Sequence, residues 1–388
     1  MGETRGLLQQ PKATLEIAGK RFNQDAPGLS DAIADAYWRQ CRPKCMCQPE
    51  GVEMYVARLG NGYIVKRMPD TGSDHDPRCT SFEPAADASG LGALIGSAIV
   101  EDPSTGTTTL KLDFALSIQA GRNAPVQQGS PTGTIRTRGT RLSLRSLLHL
   151  LWSQAELNRW HPGFVGKRNW AVVRRQLLRA AAEKVACGAT LDSRLYVPEV
   201  FSVEQKDHIE ARRRRLWGSA RLHRGRPQQL LLMIAEVKSI APGRHGFKAV
   251  MKHIPSVAFA MDEALYRRVE TRFADELALW NASDGMRLIM ISAFRLNEAE
   301  LPEICGLYLM AVTRHWLPVE SDADRYLVDS LVEDQRAFQK LLRYDLRRDA
   351  PLASVALTDR GSPLPLLFAG EQKNEDCIAT CSEPATAP

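Results

Sequence analysis

An α+β fold is what this sequence predicts, and three observations predict it. Short runs of alternating apolar and polar residues dominate residues 41–118, leucines at helical spacing fill 140–228, and strands alternating with helices run through 229–368. In full, the expectation is an N-terminal zinc-stabilised β-hairpin unit, a central basic helical segment resembling a winged helix, and a C-terminal mixed α/β unit. With 388 residues, 44% hydrophobic and 25% charged, the composition is globular and the length favours two or three domains.

Each element has a local reason. Residues 1–40 are a polar N-terminal extension with one helix expected at LSDAIADAYWRQ, capped by Ser30. VEMYVARL and YIVKRM read as two strands joined by GNG at 60–62, a hairpin signal. A loop with His75 and Cys79 follows, and then GSAIVED and TTLKLDFALSI, joined by the turn PSTG. Residues 119–139, rich in Gly, Pro, Gln and Ser, read as a linker.

Beyond the linker, Leu144, Leu147, Leu148 and Leu151 mark one amphipathic helix, and Trp170, Val173, Leu177 and Leu178 a second. An extended piece, RLYVPEVFSV, leads to a charged helix, EQKDHIEARRRRLWGSARL. The strand QLLLMIAEVKSI opens 229–368, which continues with a helix at 261–280, the strands RLIMISAF and GLYLMAVTRHW, a helix near 324–344 and a final strand, LASVALTD. Residues 369–388 read as a disordered tail. No apolar run reaches the roughly 20 residues a bilayer demands, and no signal-peptide core opens the chain, so a cytoplasmic protein with no membrane partner is expected.

In a reducing cytoplasm, eight cysteines suggest metal ligands, reactive thiols or buried small hydrophobes before disulfides. Cys41, Cys45, Cys47 and Cys79 cluster; Cys187 and Cys305 sit among apolar residues and read as packed thiols; Cys377 and Cys381 lie in the tail. Because the hairpin returns the chain beside Cys45 and Cys47, residues shortly after 68 come back to them. Zn²⁺ takes four thiolate or imidazole ligands, and a closed site supplies folding energy to a unit with little core. Cys45, Cys47 and Cys79 are the first three ligands expected, with His75 fourth and Cys41 competing for that place. Unligated thiols and a redox or catalytic cysteine are the alternatives, the last without a base nearby. The DTGS at 70–73 echoes an aspartic-protease loop but occurs once, among charged residues, and reads as an ordinary turn.

The formal charge of +6 is unevenly spread: from Arg136 to Arg226 there are 20 Lys/Arg against 7 Asp/Glu, which leaves the rest of the chain at −7. Helix, turn and second helix followed by an extended piece fit a winged helix-turn-helix, with Lys167, Arg168, Arg174, Arg175 and Arg179 on or beside the second helix. With the run Arg212, Arg213, Arg214 and Arg215, these are the expected nucleic-acid contacts, DNA being the expected partner and an acidic protein the alternative. Trp152, Trp160 and Trp170 are expected in the core. A further reading is a Mg²⁺-dependent restriction-type nuclease, because Glu236-Val237-Lys238 ends an apolar strand; the upstream acids Glu199 and Asp207 stand behind a helix, a poor topological match.

Taken together, CMCQPEGVEMYVARLGNGYIVKRMPDTGSDHDPRCTSFEP, LLHLLWSQAELNRWHPGFVGKRNWAVVRRQLL, RLYVPEVF, AEVKSI and ADELALW resemble the domain of unknown function 1173 family, proteobacterial proteins, from about residue 41 to about 368. The resemblance implies three N-terminal cysteines, which carry onto Cys45, Cys47 and Cys79 and favour His75 over Cys41. It also implies a setting in integrating conjugative elements and plasmids, and no particular reaction. The expected function is a zinc-binding, DNA-associated accessory protein of a mobile element, with the nuclease, or an adaptor binding other conjugation proteins, as alternatives.

Overall fold

A computed structural model describes residues 14–118 and 141–369, apart from 24, 60–61, 103–104, 224, 244–245, 345, 347–349 and 361–365. The expected linker at 119–139, Asn61 of the GNG turn and, but for Ala369, the tail with Cys377 and Cys381 lie outside the described residues. The N-terminal unit comprises β1 (Leu15–Ile17), β2 (Lys20–Phe22), α1 (Leu29–Trp38), β3 (Lys44–Cys45), β4 (Val52–Leu59) and β5 (Gly62–Arg67), in one sheet of order β2-β1-β3-β4-β5. Residues 14–40 are therefore built into the same sheet as the hairpin. The cap of α1 is Gly28, in the left-handed region at φ 80°, and Ser30 falls inside the first turn, which corrects the expected cap.

The central stretch contributes β6 (Ile99–Asp102), β7 (Thr107–Leu110), β8 (Ser117–Ile118), α2 (Leu144–Gln154), β9 (Arg159–Trp160), α3 (Trp170–Ala182), β10 (Lys184–Ala186), β11 (Ala189–Thr190), β12 (Leu195–Tyr196) and α4 (Lys206–Trp217). Side-chain oxygens of Ser143 and Asn169 accept the N–H groups of Ser146 and Val172 and so start α2 and α3. The extended piece expected as a wing, RLYVPEVF, does not stand free, since its β12 pairs in parallel with the later strand Leu231–Pro242; the hairpin before it, β10–β11, joins β7 in a sheet of order β11-β10-β7-β6. Cys187 sits at that hairpin's tip, exposed and at φ 50°, where a packed thiol was expected; Cys305 is partly buried against the main core.

The last part contains β13 (Gln228–Gln229), β14 (Leu231–Pro242), β15 (Phe247–Met251), β16 (Ala258–Met261), α5 (Glu263–Arg272), α6 (Ala274–Ala282), β17 (Arg287–Leu296), β18 (Pro302–Val312), α7 (Asp322–Glu333), β19 (Phe338–Lys340), β20 (Val355–Leu357) and β21 (Leu366–Leu367). The order β14-β15-β16-β18-β17 closes on itself, because β14 also pairs with β17 from Leu231↔Phe294 to Glu236↔Ile289. Closure buries the inner face of β14 and a second core covers the outer one, which explains its unbroken apolar run. Leu231, Met233 and Ala235 join the barrel interior with Phe259, Met290 and Phe294, while Leu232 and Ile234 join the core that holds Leu148, Trp152 and Trp170.

Two helices differ from expectation. The segment at 261–280 divides at Phe273 into α5 and α6, after Asp262 accepts the N–H of Leu265 at 2.6 Å and begins the first of them. The helix expected near 324–344 ends at Glu333: Gln335 takes φ 55° and reverses the chain, and Phe338–Lys340 is a buried strand. Hydrogen-bonded pairs also cross each border expected from composition, β7 with β10, β12 with β14 and β9 with β19. Trp152, Trp160 and Trp170 are all buried, as core residues should be. Among the described residues, no helix is long and apolar enough to cross a membrane.

Candidate metal centre

Strand pairing brings the Cys-Met-Cys stretch and the loop after β5 together. β3 holds Cys45 opposite Leu15 on one side and Val52 on the other. β4 and β5 stay in register from Leu59↔Gly62 to Met54↔Arg67, so the chain leaves the hairpin beside the place where it entered. It then turns at Asp70, φ 62°, where the Thr71 hydroxyl donates to the Met68 carbonyl at 2.9 Å. A single 3₁₀ turn, Gly72–Asp74, delivers His75. The Cys79 N–H donates to the Asp76 carbonyl at 2.8 Å, and the Phe82 N–H to the Cys79 carbonyl at 3.1 Å. At Gly72 a Cβ would meet the Glu83 Cβ at 2.7 Å, which accounts for the glycine.

Ligand atoms of Cys45, Cys47, His75 and Cys79 all lie within 4.8 Å of one another. The Cys45 and Cys79 sulfurs are 3.7 Å apart, and His75 Nδ1 is 3.3 Å from Cys47 Sγ and 3.8 Å from Cys79 Sγ. A tetrahedral ion held at about 2.3 Å from sulfur and about 2.0 Å from nitrogen needs edges of about 3.5 to 3.8 Å, so the spacing fits. Cys45, Cys79 and His75 are buried and Cys47 half-buried. The apolar cluster beneath is small, consisting of Cys45, Met54, Cys79 and Phe82 with partly buried neighbours. Three thiolates and an imidazole on so slight a core can hold a divalent metal; His75 stands in the group and Cys41 outside it.

Electrostatics within the cluster follow from crowding. The Cys79 thiol is pushed down to about 4, first by its hydrogen bond with Cys45 and further by His75 and the Ser81 N–H. Cys45 is pushed up by that same bond and by burial, and Cys47 is pushed up by burial. Protein groups alone thus favour a single thiolate. A bound dication would stabilise all three.

One contact that the sequence reading missed fastens this loop to the rest of the molecule: the Arg159 guanidinium donates to the Thr80 and Phe82 carbonyls. Arg159 was visible only as one cation of a basic stretch, and nothing in its neighbours marks the carbonyls it meets.

The expected nucleic-acid contacts divide sharply. The Arg168 guanidinium donates to the carbonyls of Glu156, Leu157, Arg159 and His315 and lies over the Trp160 and Phe164 rings, so its charge is used internally, a correction to the expectation. Arg174 donates to the Val197 carbonyl at 3.0 Å. Glu199 receives Arg212 at 2.5 Å and faces Arg174 at 3.7 Å, and Arg213 packs over Trp217. Lys167, Arg175, Arg179, Arg214 and Arg215 are exposed.

At the expected nuclease residues the structure gives a different arrangement. Glu236 is buried and accepts hydrogen bonds from Lys252 and Arg287, each at 2.9 Å. Lys238 is exposed at a register shift between Val237 and Ser239, so the simple alternation that would put it on the face of Glu236 is broken. Among the described residues Glu236 belongs to no group of three or more potential metal ligands. The carboxylate here is engaged by Lys252 and Arg287.

Fold and site together define a mixed α+β protein with a Cys₃His cluster suited to a metal ion. The chain belongs to the family described as protein of unknown function (DUF1173), whose profile matches residues 15–387, more than the stretch on which the resemblance was first read. Neither the curated proteins nor the solved structures gave a match.

Proposed function

We propose that Cys45, Cys47, His75 and Cys79 form a structural zinc centre in a DNA-associated accessory protein. The observation that carries the metal assignment is the convergence, at tetrahedral spacing, of four buried or half-buried donors over a very small apolar cluster. Three sulfurs and an imidazole suit Zn²⁺, and four protein ligands leave no open position, as in structural and not catalytic sites. DNA association is supported by the exposed Lys167, Arg175, Arg179, Arg214 and Arg215, and by Glu199, which links Arg174 of α3 to Arg212 of α4. The family resemblance supports service to a conjugative element or plasmid in the cytoplasm.

A protein partner is the second reading, favoured by Val200, Phe201 and Val203, which are exposed immediately before α4. Elemental analysis of the purified protein should find about one zinc per chain, lost in Cys79→Ser. Salt titration separates the partners: DNA affinity should fall steeply with log[salt], about 0.9 per phosphate neutralised, whereas weak, salt-insensitive retention would leave the protein partner standing.

A further inference from the structure

Between the N-terminal sheet and α2–α3 lies a cleft of about 540 Å³, large enough for a small organic molecule. Its walls are apolar at Ile64, Leu91, Ile95, Ile99 and Leu150. Across its floor runs one cross-strand row, Glu101 of β6 opposite Thr108 of β7 and Thr108 opposite Lys184 of β10. Thr108 and Lys184 are each only 3% exposed, and Tyr55, 9% exposed, lines the same space.

Charges around this floor are neutralised selectively. Lys66 pairs with Glu183 and also donates to the Gly106 carbonyl, and Arg67 pairs with Glu83. Arg159 is used by the Thr80 and Phe82 carbonyls. Lys184 forms no ion pair and no hydrogen bond from its ammonium with the described residues. A buried charge without a partner is costly, so such a group either sheds its charge or gains from a bound counter-charge. Burial pulls the Lys184 ammonium down to about 8, against the attraction of Glu183 and Glu101 and with Lys66 adding repulsion.

We propose that this cleft binds a small organic acid, whose carboxylate pairs with Lys184 and accepts from Thr108 while its apolar body rests against Ile95, Ile99 and Leu150. A monoanion is favoured over a phosphate dianion because Glu101 and Glu183 border the floor beside Lys184, while the other unpaired cation of the lining, Arg179, is exposed to solvent. Of the proposed nucleic-acid contacts, Arg179 alone lines the cleft. No residue of the Cys₃His cluster lines it.

The test uses the full-length protein with acetate, hexanoate, benzoate and inorganic phosphate as probes. Hexanoate or benzoate should raise the melting temperature, outperform acetate because of the apolar walls, and shield Lys184 from acylation by an amine-reactive ester, read by mass spectrometry as at least a fivefold fall in labelling. Lys184→Met, which fills the same volume without charge, should abolish the probe-induced shift. Equal labelling of Lys184 with and without every probe, or an unchanged shift in Lys184→Met, overturns the proposal. Protection by phosphate exceeding that by the carboxylates overturns the ligand class. If Lys184→Met fails to fold, the wild-type labelling arm decides alone.

Discussion

Arg168 and Lys167 are neighbours with opposite uses, and their contrast is testable. The Arg168 guanidinium satisfies four carbonyls in a nearly closed setting, whereas Lys167 is exposed. Arg168→Ala should cost about 3 kcal/mol in chemical denaturation, since buried acceptors lose their donors, and leave the salt slope of DNA binding unchanged. Lys167→Ala should leave stability alone and reduce that slope by about 0.9 if the lysine meets phosphate. His149 makes a second case. Its Nδ1–H donates to the Arg343 carbonyl at 2.7 Å, and burial, with help from Arg145, lowers its pKa from 6.5 to about 4. The unfolded chain therefore binds the proton first, so this residue's stabilisation is complete above about pH 6.5 and is lost as the pH falls toward 4, about 3 kcal/mol in all. His149→Asn, which retains a donor near the Nδ1 position, should flatten the difference between urea midpoints at pH 7 and pH 5. What the sequence displayed at this scale was charge; whether a given cation faces water or carbonyls depends on packing partners more than a hundred residues away, as with His315 and Arg168. The three cysteines and His75 were legible because a hairpin makes their meeting a local consequence.

Turns and strand ends govern the metal loop. Gly72 lies where the loop presses on Glu83, so Gly72→Ala must displace one of them, at a cost of about 1–3 kcal/mol. Because His75 follows directly, the substitution should also weaken metal retention, measured as faster transfer of the ion to a chromogenic chelator. Retention equal to wild type would mean that the ligands tolerate a shifted loop. Ser143, Asn169 and Ser321 mark helix starts chemically, although the one cap read from the sequence, Ser30, lies inside the first turn of α1. Helix ends were less legible: the stretch after Glu333 has no glycine or proline to stop it, and the reversal is made by Gln335 in a left-handed conformation that only tertiary packing of Phe338 justifies. Equally hidden was the floor of the cleft. Lys184 follows an amphipathic helix in sequence and reads as one more surface cation, and only the parallel pairing of β10 with β7 shows that it is buried opposite Thr108.

At the level of the whole molecule, two kinds of stabilisation coexist. The closed ring of β14, β15, β16, β18 and β17 has an extensive apolar interior, with Phe259, Met290 and Phe294 fully enclosed, and its strands leave no gap in the ring. The N-terminal sheet has instead the Cys45, Met54, Cys79 and Phe82 cluster and the candidate metal site. Polar contacts link it to the remainder, Arg159 to the Thr80 and Phe82 carbonyls and Lys66 to Glu183, beside the close approach of Ala57 to Gly106. Removing the metal should consequently unfold the molecule in part. Hydrogen exchange after treatment with a strong zinc chelator should show protection lost in β3, β4, β5 and residues 68–83, while β14, β17 and β18 stay protected. The cleft should open along with the loop, because Lys66, Arg67 and Tyr55 form one of its walls. Lys184 would then be acylated faster in chelator than without it, and the apolar probes should lose their protective effect. Uniform loss of protection would mean that the ring depends on the metal as well. Complete removal of the ion with unchanged exchange would show that the strand pairing suffices, and would take the structural role away from the cysteines.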